Sequence, residues 1–162
     1  MEQPRPSVSV AVVMQREAQP NQWEDWRFKL LDVVPHEDAF GSAPRVLRDD
    51  GKLAQTLTPG FTLELFKDEA EGYHLNLSSG QPVWFVMWRV AEDDPSLAVP
   101  QVVSVSYHEA GRWLDAQERV DNVPLPAELV EWLQAFTTEH YQPEQKKQRR
   151  RPQSFLPPEQ RG

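Results

Sequence analysis

The hydrophobic and polar positions in the N-terminal half of the chain alternate, and this period predicts β-strands. In "SVSVAVVMQR", Val8, Val10 and Val12 share one face. "WEDWRFKLLDVVP" continues the alternation as a long second strand, and "FTLELF" repeats it in a shorter form. "RVLRDDGKLAQTL" predicts a hairpin that turns at Asp50-Gly51. We expect "TPG" to separate this hairpin from "FTLELF", because proline and glycine interrupt strands.

The middle of the chain predicts a buried central strand. "PVWFVMWRV" is apolar on both faces, as in a strand that is covered on both sides. A polar loop, "AEDDPSLAVP", and a further strand, "QVVSVS", follow. The preceding "DEAEGYHLNLSSG" fits either a helix capped by Asp68 with Glu71 or a strand, since Tyr73, Leu75 and Leu77 alternate. We favour a short helix there.

The C-terminal part predicts two helices. Ser106 and Glu109 have the spacing of a capping box. "VPLP" is a rigid connector, and Pro126 suits the first position of the second helix. The apolar stripe of that helix comprises Leu129, Trp132, Leu133 and Phe136. Strands come first and helices last, so we predict an α+β fold with a mainly antiparallel sheet of about six strands, a short middle helix and two C-terminal helices.

Length and charge indicate one domain followed by a tail. A chain of 162 residues suits one domain, which we place at residues 7–142 after a flexible N-terminus at 1–6. Residues 143–162 are poor in apolar side chains, so we predict a disordered basic tail. Residues 141–162 carry +4 of a net charge of −8, which leaves −12 on residues 1–140. A domain with this much negative charge repels the phosphates of nucleic acid.

Composition excludes several classes of protein. Without cysteine there are no disulfides, thiolate zinc sites or iron–sulfur clusters on protein thiolates. No run of about eighteen apolar residues exists, so we expect no membrane span. The N-terminus "MEQPRPSVSV" lacks a positively charged start followed by an apolar block, and we therefore expect a cytoplasmic protein.

No motif predicts catalysis. The four histidines do not have metal-ligand spacing, and the chain has neither a G-x-S-x-G motif nor a glycine-rich phosphate loop. Paired carboxylates such as Asp93-Asp94 occupy predicted turns, where solvated charge is the simpler explanation. We therefore predict a protein without catalytic residues, metal or cofactor.

Several residues are candidates for binding. Trp23 lies among polar residues in "NQWEDW", where it either anchors an interface or covers the rim of the core. Asn76 and Arg89 stand beside apolar residues, so each needs a polar partner, which for Arg89 is a carboxylate such as Glu64 or Glu71. The tail candidates are basic and either solubilise the chain or dock on an acidic partner: Lys146, Lys147, Arg149, Arg150 and Arg151.

The order "VSVAVVMQR", "NQWEDWRFKLLDVVP", "LELFKDEAEGYHLNLSSGQPVWFVMWR" and "VSVSYHEAGRWLDAQERVDNVPLPAELVEWLQAF", followed by a basic tail, resembles a bacterial family of uncharacterised function. Its genes lie near molybdenum-dependent formate dehydrogenase and its maturation genes. The resemblance covers roughly residues 7–150, and the segments 73–77 and 124–126 are its most specific parts.

This resemblance implies a non-catalytic accessory or assembly protein. It would contact a formate dehydrogenase subunit or a maturation factor through the tail and the surface near Trp23. Two alternatives stay open. One is a small enzyme with an unfamiliar site around Tyr73, His74, Asn76 and Arg89. The other is a nucleic-acid-associated regulator that uses the basic tail.

Overall fold

The computed structural model describes residues 5–19 and 25–142, and its N-terminal half forms a four-stranded antiparallel sheet. The order of the strands in this first sheet is β2-β1-β4-β3. Its strands are β1 (Ser7–Ala18), β2 (Trp26–Pro35), β3 (Arg45–Asp49) and β4 (Leu53–Glu64). The hairpin predicted at Asp50-Gly51 is confirmed: the Asp50 carboxylate accepts hydrogen bonds from the N–H groups of Lys52 and Leu53.

A second, three-stranded antiparallel sheet follows, with the order β6-β5-β7. Its strands are β5 (Val83–Ala91), β6 (Asp94–Ser104) and β7 (Arg119–Pro124). The predicted α+β class is therefore confirmed, and the described residues form seven antiparallel strands, which are divided between two sheets. The two sheets meet where β2 contacts β7 and where β1 and β4 contact β6.

The part of the chain that the structure describes also contains three α-helices: α1 (Ala70–Ser78), α2 (Tyr107–Asp115) and α3 (Ala127–His140). The predicted short middle helix is confirmed, although it continues from a 3-10 turn at Lys67–Glu69 and has no cap from Asp68. The predicted cap of α2 is confirmed, because Ser106 Oγ accepts a hydrogen bond from the N–H of Glu109. Pro126 is the N-cap of α3, one residue before its first turn. Helix α1 packs against both α2 and α3.

The predicted break at "TPG" is wrong, since β4 continues through it. Val10 pairs with Phe61 and Val12 with Thr58, so Pro59 and Gly60 lie opposite Ala11 alone. This is a β-bulge, and Gly60 adopts its φ of 97°, a conformation that glycine tolerates without a steric cost. The bulge keeps both halves of β4 in register with β1.

Two further differences concern the second sheet. The predicted loop "AEDDPSLAVP" is mostly strand, because β6 begins at Asp94 after a two-residue turn at 92–93. The sequence analysis did not predict β7, whose residues are half-buried or exposed and lack a clear apolar face. Pairing with the buried strand β5 forms β7 despite its weak local pattern.

The main apolar core joins both sheets to helices α1 and α3. Val10, Val12 and Met14 of β1 share this core with Trp84 and Val86 of β5. Among the tryptophans, Trp84 and Trp88 are buried, whereas Trp113 and Trp132 are half-buried. Among the described residues, no helix has the length and apolar content needed to cross a bilayer.

Candidate functional site: an aromatic groove between the sheets

A groove of about 420 Å³ lies where β2, at the edge of the first sheet, approaches β5 and β7 of the second. We call it the aromatic groove. A hydrogen bond of 2.9 Å from the N–H of Leu30 to Asp121 Oδ2 joins the two sheets. The principal lining residues are Trp26, Arg27, Phe28, Trp88, Pro95 and Arg119.

Three aromatic side chains give the groove its apolar surface. The rings of Phe28 and Trp88 meet edge to face, with their centroids 5.7 Å apart. Trp26 lies two residues before Phe28, so the alternation of the strand places both on one face. The indole N–H of Trp88 is buried and has no hydrogen-bond partner among the described residues. The groove therefore presents an apolar, largely aromatic surface, and the unsatisfied indole N–H of Trp88 lies buried behind it.

Arg16 fixes the position of Trp26. Its guanidinium carbon lies 4.4 Å from the centroid of the Trp26 ring, a cation–π contact. One guanidinium nitrogen donates to the carbonyl of Ser96 at 3.2 Å, and another lies 3.9 Å from Asp49 Oδ2. Arg16 thus ties β1 to β6 and β3, and Trp26 packs on a side chain that is already held in place.

Two arginines of the groove have no partner charge. Arg27 and Arg119 are exposed, and no described residue forms an ion pair or hydrogen bond with either guanidinium. Arg119 contacts the Trp88 ring at 5.4 Å. Every other described arginine has a polar partner: Arg5 with Glu64, Arg16 with Asp49, Arg45 with the Ala39 carbonyl, Arg48 with Asp50, Arg89 with Glu118 and Arg112 with Glu69.

The charge of the groove is opposite to that of the body. Asp25 is the acidic residue in its lining, against Arg27 and Arg119. Residues 1–140 carry −12, so a positive groove is a local reversal that attracts negatively charged groups. Arginine presents a planar fork of donors that matches a carboxylate in two parallel hydrogen bonds. The groove is equipped to hold an apolar group next to a carboxylate.

Asn76 and Tyr73, two predicted site residues, use their polar atoms inside the fold. Asn76 Nδ2 donates to the carbonyls of Val83 at 2.8 Å and Val105 at 3.0 Å, and its Oδ1 accepts from the Val83 N–H at 3.0 Å. The Tyr73 hydroxyl oxygen accepts from the N–H of Phe66 at 2.9 Å. Burial raises the pKa of Tyr73 to about 12. Both side chains connect α1 to its neighbours, and a binding role for them stays a prediction.

Arg89 is exposed at the end of β5. It does pair with a carboxylate, as predicted, but its partner is Glu118 and neither of the suggested residues, Glu64 and Glu71. Strand β5 extends past the core there, and Arg89 forms a bidentate pair with Glu118, at 3.0 Å and 2.6 Å. This hydrogen bonding lowers the pKa of Glu118. The pair holds the end of β5 to the residue that precedes β7.

The site proposed around Tyr73, His74, Asn76 and Arg89 does not form one cleft. The His74 ring stacks on Tyr141 with 4.3 Å between centroids, away from the partners of Asn76. Arg89 is six residues beyond Val83 in β5, and a strand of that length spans roughly 20 Å. In the part of the chain that the structure describes, no three His, Asp or Glu side chains form a possible metal site.

The remaining predicted binding residues lie outside the described residues and stay predictions. They are Trp23 and the tail residues Lys146, Lys147, Arg149, Arg150 and Arg151. The sequence analysis missed the aromatic groove itself. Trp26 and Phe28 did stand out as alternating aromatics near the start of a strand, with Arg27 between them. Arg119 had no such signal, because it belongs to the strand that the pattern did not predict.

The comparisons with known proteins give one match. A family model described as "Protein of unknown function (DUF3305)" matches residues 9–151. No curated protein and no solved structure matches the chain. The matched residues include the whole lining of the aromatic groove.

Proposed function

Because the chain belongs to the DUF3305 family, whose function is unknown, we propose a function from its own surface: a non-catalytic accessory or assembly protein that acts by protein–protein contact. The aromatic groove is the proposed contact surface. The proposed partner is a subunit of molybdenum-dependent formate dehydrogenase or one of its maturation factors. The gene neighbourhood that the resemblance implies supports this choice of partner, and the family model assigns none.

One observation carries the contact role: the groove brings Trp26, Phe28 and Trp88 together with two arginines that have no partner charge among the described residues. Tryptophan and arginine are the residues most enriched among the side chains that dominate binding energy at protein interfaces. Arg27 and Arg119 would gain in a complex the charged partners that no described residue supplies. This composition favours a surface built for another protein.

The polar groups of the groove suit binding better than catalysis. Arg27 and Arg119 do not release a proton at physiological pH. An activated nucleophile requires a hydrogen bond to a neighbouring base. Asp25 is exposed and forms no hydrogen bond with a histidine or with a hydroxyl nucleophile among the described residues. The absence of cysteine means that the chain cannot carry sulfur or a cluster on thiolates. Holding or bridging other proteins fits these properties.

Affinity purification from the native host tests this proposal. The bait is the tagged full-length chain, compared with W26S/R119S in the groove. Exposed Leu114 and Lys67 lie outside the groove, so L114S/K67S is a matched control. We expect wild type and the control to retain formate dehydrogenase subunits or maturation factors and the groove variant to lose them. Circular dichroism establishes that all three forms are folded.

Two results would overturn the proposal in different ways. Equal recovery of the partner by W26S/R119S and wild type would exclude the groove as the contact surface. Wild-type formate dehydrogenase activity and molybdenum content in a deletion strain would exclude the proposed partner.

A further inference from the structure

The groove side of β2 is an open strand edge. Among the described strands, β2 pairs with β1 alone, because it is the outermost strand of the first sheet. An open edge presents unpaired backbone N–H and C=O groups, which form a template for another strand. Here the aromatic groove, and not a helix, lies next to that edge. The edge is therefore accessible where the groove is.

Hydrogen bonds at both ends of this stretch show which backbone groups point outward. Gln19 N–H donates to the carbonyl of Asp25 at 2.8 Å, so Asp25 faces β1. Leu30 N–H donates to Asp121 at 2.9 Å, so Leu30 faces away from β1. The register between β1 and β2 is regular from Trp26 to Leu30. Since orientation alternates along a strand, Trp26 and Phe28 direct their N–H and C=O groups outward.

The described residues supply no partner to the N–H groups of Trp26 and Phe28. At Leu30, the Asp121 carboxylate already occupies the place that an adjacent strand would take. No described side chain accepts a hydrogen bond from the N–H of Trp26 or Phe28 in the same way. The edge of β2 is therefore occupied at Leu30. From Trp26 to Phe28, over about 7 Å of strand, its outward-pointing backbone groups have no partner among the described residues.

The positive charge of two arginines indicates what kind of segment would bind at the open edge. Arg27 lies between the two open residues, and the alternation of the strand directs its side chain to the face opposite Trp26 and Phe28. Arg119 stands across the groove at the start of β7. Both guanidinium groups lack an ion pair among the described residues. An added strand whose side chains include carboxylates would neutralise both, while its apolar side chains pack on Trp26, Phe28 and Trp88.

We propose that the aromatic groove binds an extended acidic segment of a protein partner, which adds as a strand to the β2 edge at Trp26–Phe28. This inference rests on the proposed function and specifies its mode of contact. Main-chain hydrogen bonds hold such a strand, and alternate side chains select its sequence. Carboxylates of the segment pair with Arg27 and Arg119, and an apolar residue enters between the aromatic rings.

The other edge of the first sheet lacks these features. Strand β3 has a bulge at Leu47, since its register shifts between Val46 and Arg48, and bulges hinder edge pairing. Its arginines are already engaged, Arg48 with Asp50 and Arg45 with the Ala39 carbonyl. Of the two edges of the first sheet, only the β2 edge combines open backbone groups, aromatic surface and unpaired arginines among the described residues.

The test uses the full-length chain and a defined probe. The probe is a pool of fluorescent synthetic peptides in which Asp or Glu alternates with Leu, Val, Phe or Trp. A matched pool carries Asn and Gln in place of the acids, and a third pool is N-methylated at alternate residues to remove backbone donors. We expect binding of the first pool only, with a Kd that rises with salt because charges are screened.

The variants locate the site. R27A/R119A should raise the Kd about 100-fold, as expected for two lost charge-assisted hydrogen bonds. K52A/K67A removes the same charge from exposed positions outside the groove and should leave the Kd within about twofold. In hydrogen exchange, the amides of Trp26 and Phe28 should slow about tenfold or more on peptide binding.

Several outcomes would overturn the inference. These are equal binding of the acidic and amide pools, equal affinity of R27A/R119A and wild type, and unchanged exchange at Trp26 and Phe28. Concentration-dependent dimerisation that R27A/R119A abolishes would instead assign the groove to a second copy of the chain.

The two proposals fail separately. If the peptides do not bind but W26S/R119S still loses its captured partner, strand addition is wrong and the contact role stands. If the peptides bind as expected while the variant captures the partner normally, the edge site stands and the groove is excluded as the surface that contacts this partner.

Discussion

The N–H of Leu30 donates a hydrogen bond of 2.9 Å to Asp121 Oδ2, across 91 positions of sequence. Leu30 belongs to the edge strand of the first sheet and Asp121 to the edge strand of the second. A carboxylate thus replaces the backbone acceptor that an adjacent strand would supply. The same bond joins the two sheets and ends the open part of the β2 edge, so one contact sets both the architecture and the extent of the groove.

We expect D121A to destabilise the domain by about 1–3 kcal/mol, because it leaves the Leu30 N–H unsatisfied in a half-buried junction. Asn at this position keeps an oxygen acceptor, so D121N should lose less than half as much. D115A, at an exposed helix position, should stay within about 0.5 kcal/mol of wild type. Urea unfolding measures all three. A loss in D121N as large as in D121A would show that the hydrogen bond is not the cause.

Replacing Asn76 should destabilise the domain more than replacing Asp121. It is 1% exposed, and its amide makes three hydrogen bonds to the backbone of Val83 and Val105. N76A should cost about 3 kcal/mol or more, because three backbone groups lose their partner, two at half-buried Val83 and one at buried Val105. N122A is the control, since Asn122 is exposed in β7. Chemical unfolding that gives equal losses for the two variants would contradict the structural role of Asn76.

Two helical glycines should respond to alanine with opposite signs. A Cβ on Gly72 of α1 would collide with Ser106 Oγ, the N-cap of α2. G72A should therefore destabilise the domain by about 1–3 kcal/mol through overpacking. A Cβ on Gly111 in α2 would meet nothing within 4 Å, so G111A should stabilise it by about 0.5–1 kcal/mol. Thermal unfolding of both variants measures these signs, and stabilisation by G72A would rule out the close approach of the two helices.

The raised pKa of Tyr73 should make the folded domain less stable at alkaline pH. Burial raises its pKa from 10.0 to about 12, so the folded protein keeps the phenol proton that the unfolded chain releases. Stability linked to Tyr73 is complete below pH 10 and is lost as the pH rises through about 12. The melting temperature of Y73F should fall less steeply over this interval than that of wild type. Parallel pH profiles for the two proteins would exclude the assignment.

The sequence predicted the elements whose signals are local. The alternation around Val10 and Val12 indicated β1, and the doubly apolar run around Val86 indicated β5. Asp50-Gly51 indicated a hairpin, and Ser106 with Glu109 indicated a capped helix. Each of these signals depends on residues within one turn or one strand of each other, where backbone geometry directly constrains the side-chain pattern.

The sequence by itself therefore determined the α+β class, an acidic body and the absence of cysteine chemistry. The tertiary structure alone decided the division into two sheets, the existence of β7, the pairing of Arg89 with Glu118 and the assembly of the aromatic groove. Strand pairing and side-chain contacts between residues such as Leu30 and Asp121 join positions far apart in the chain. Local periodicity carries no information about such partners, because the same pattern packs equally well in many arrangements until the whole core is formed.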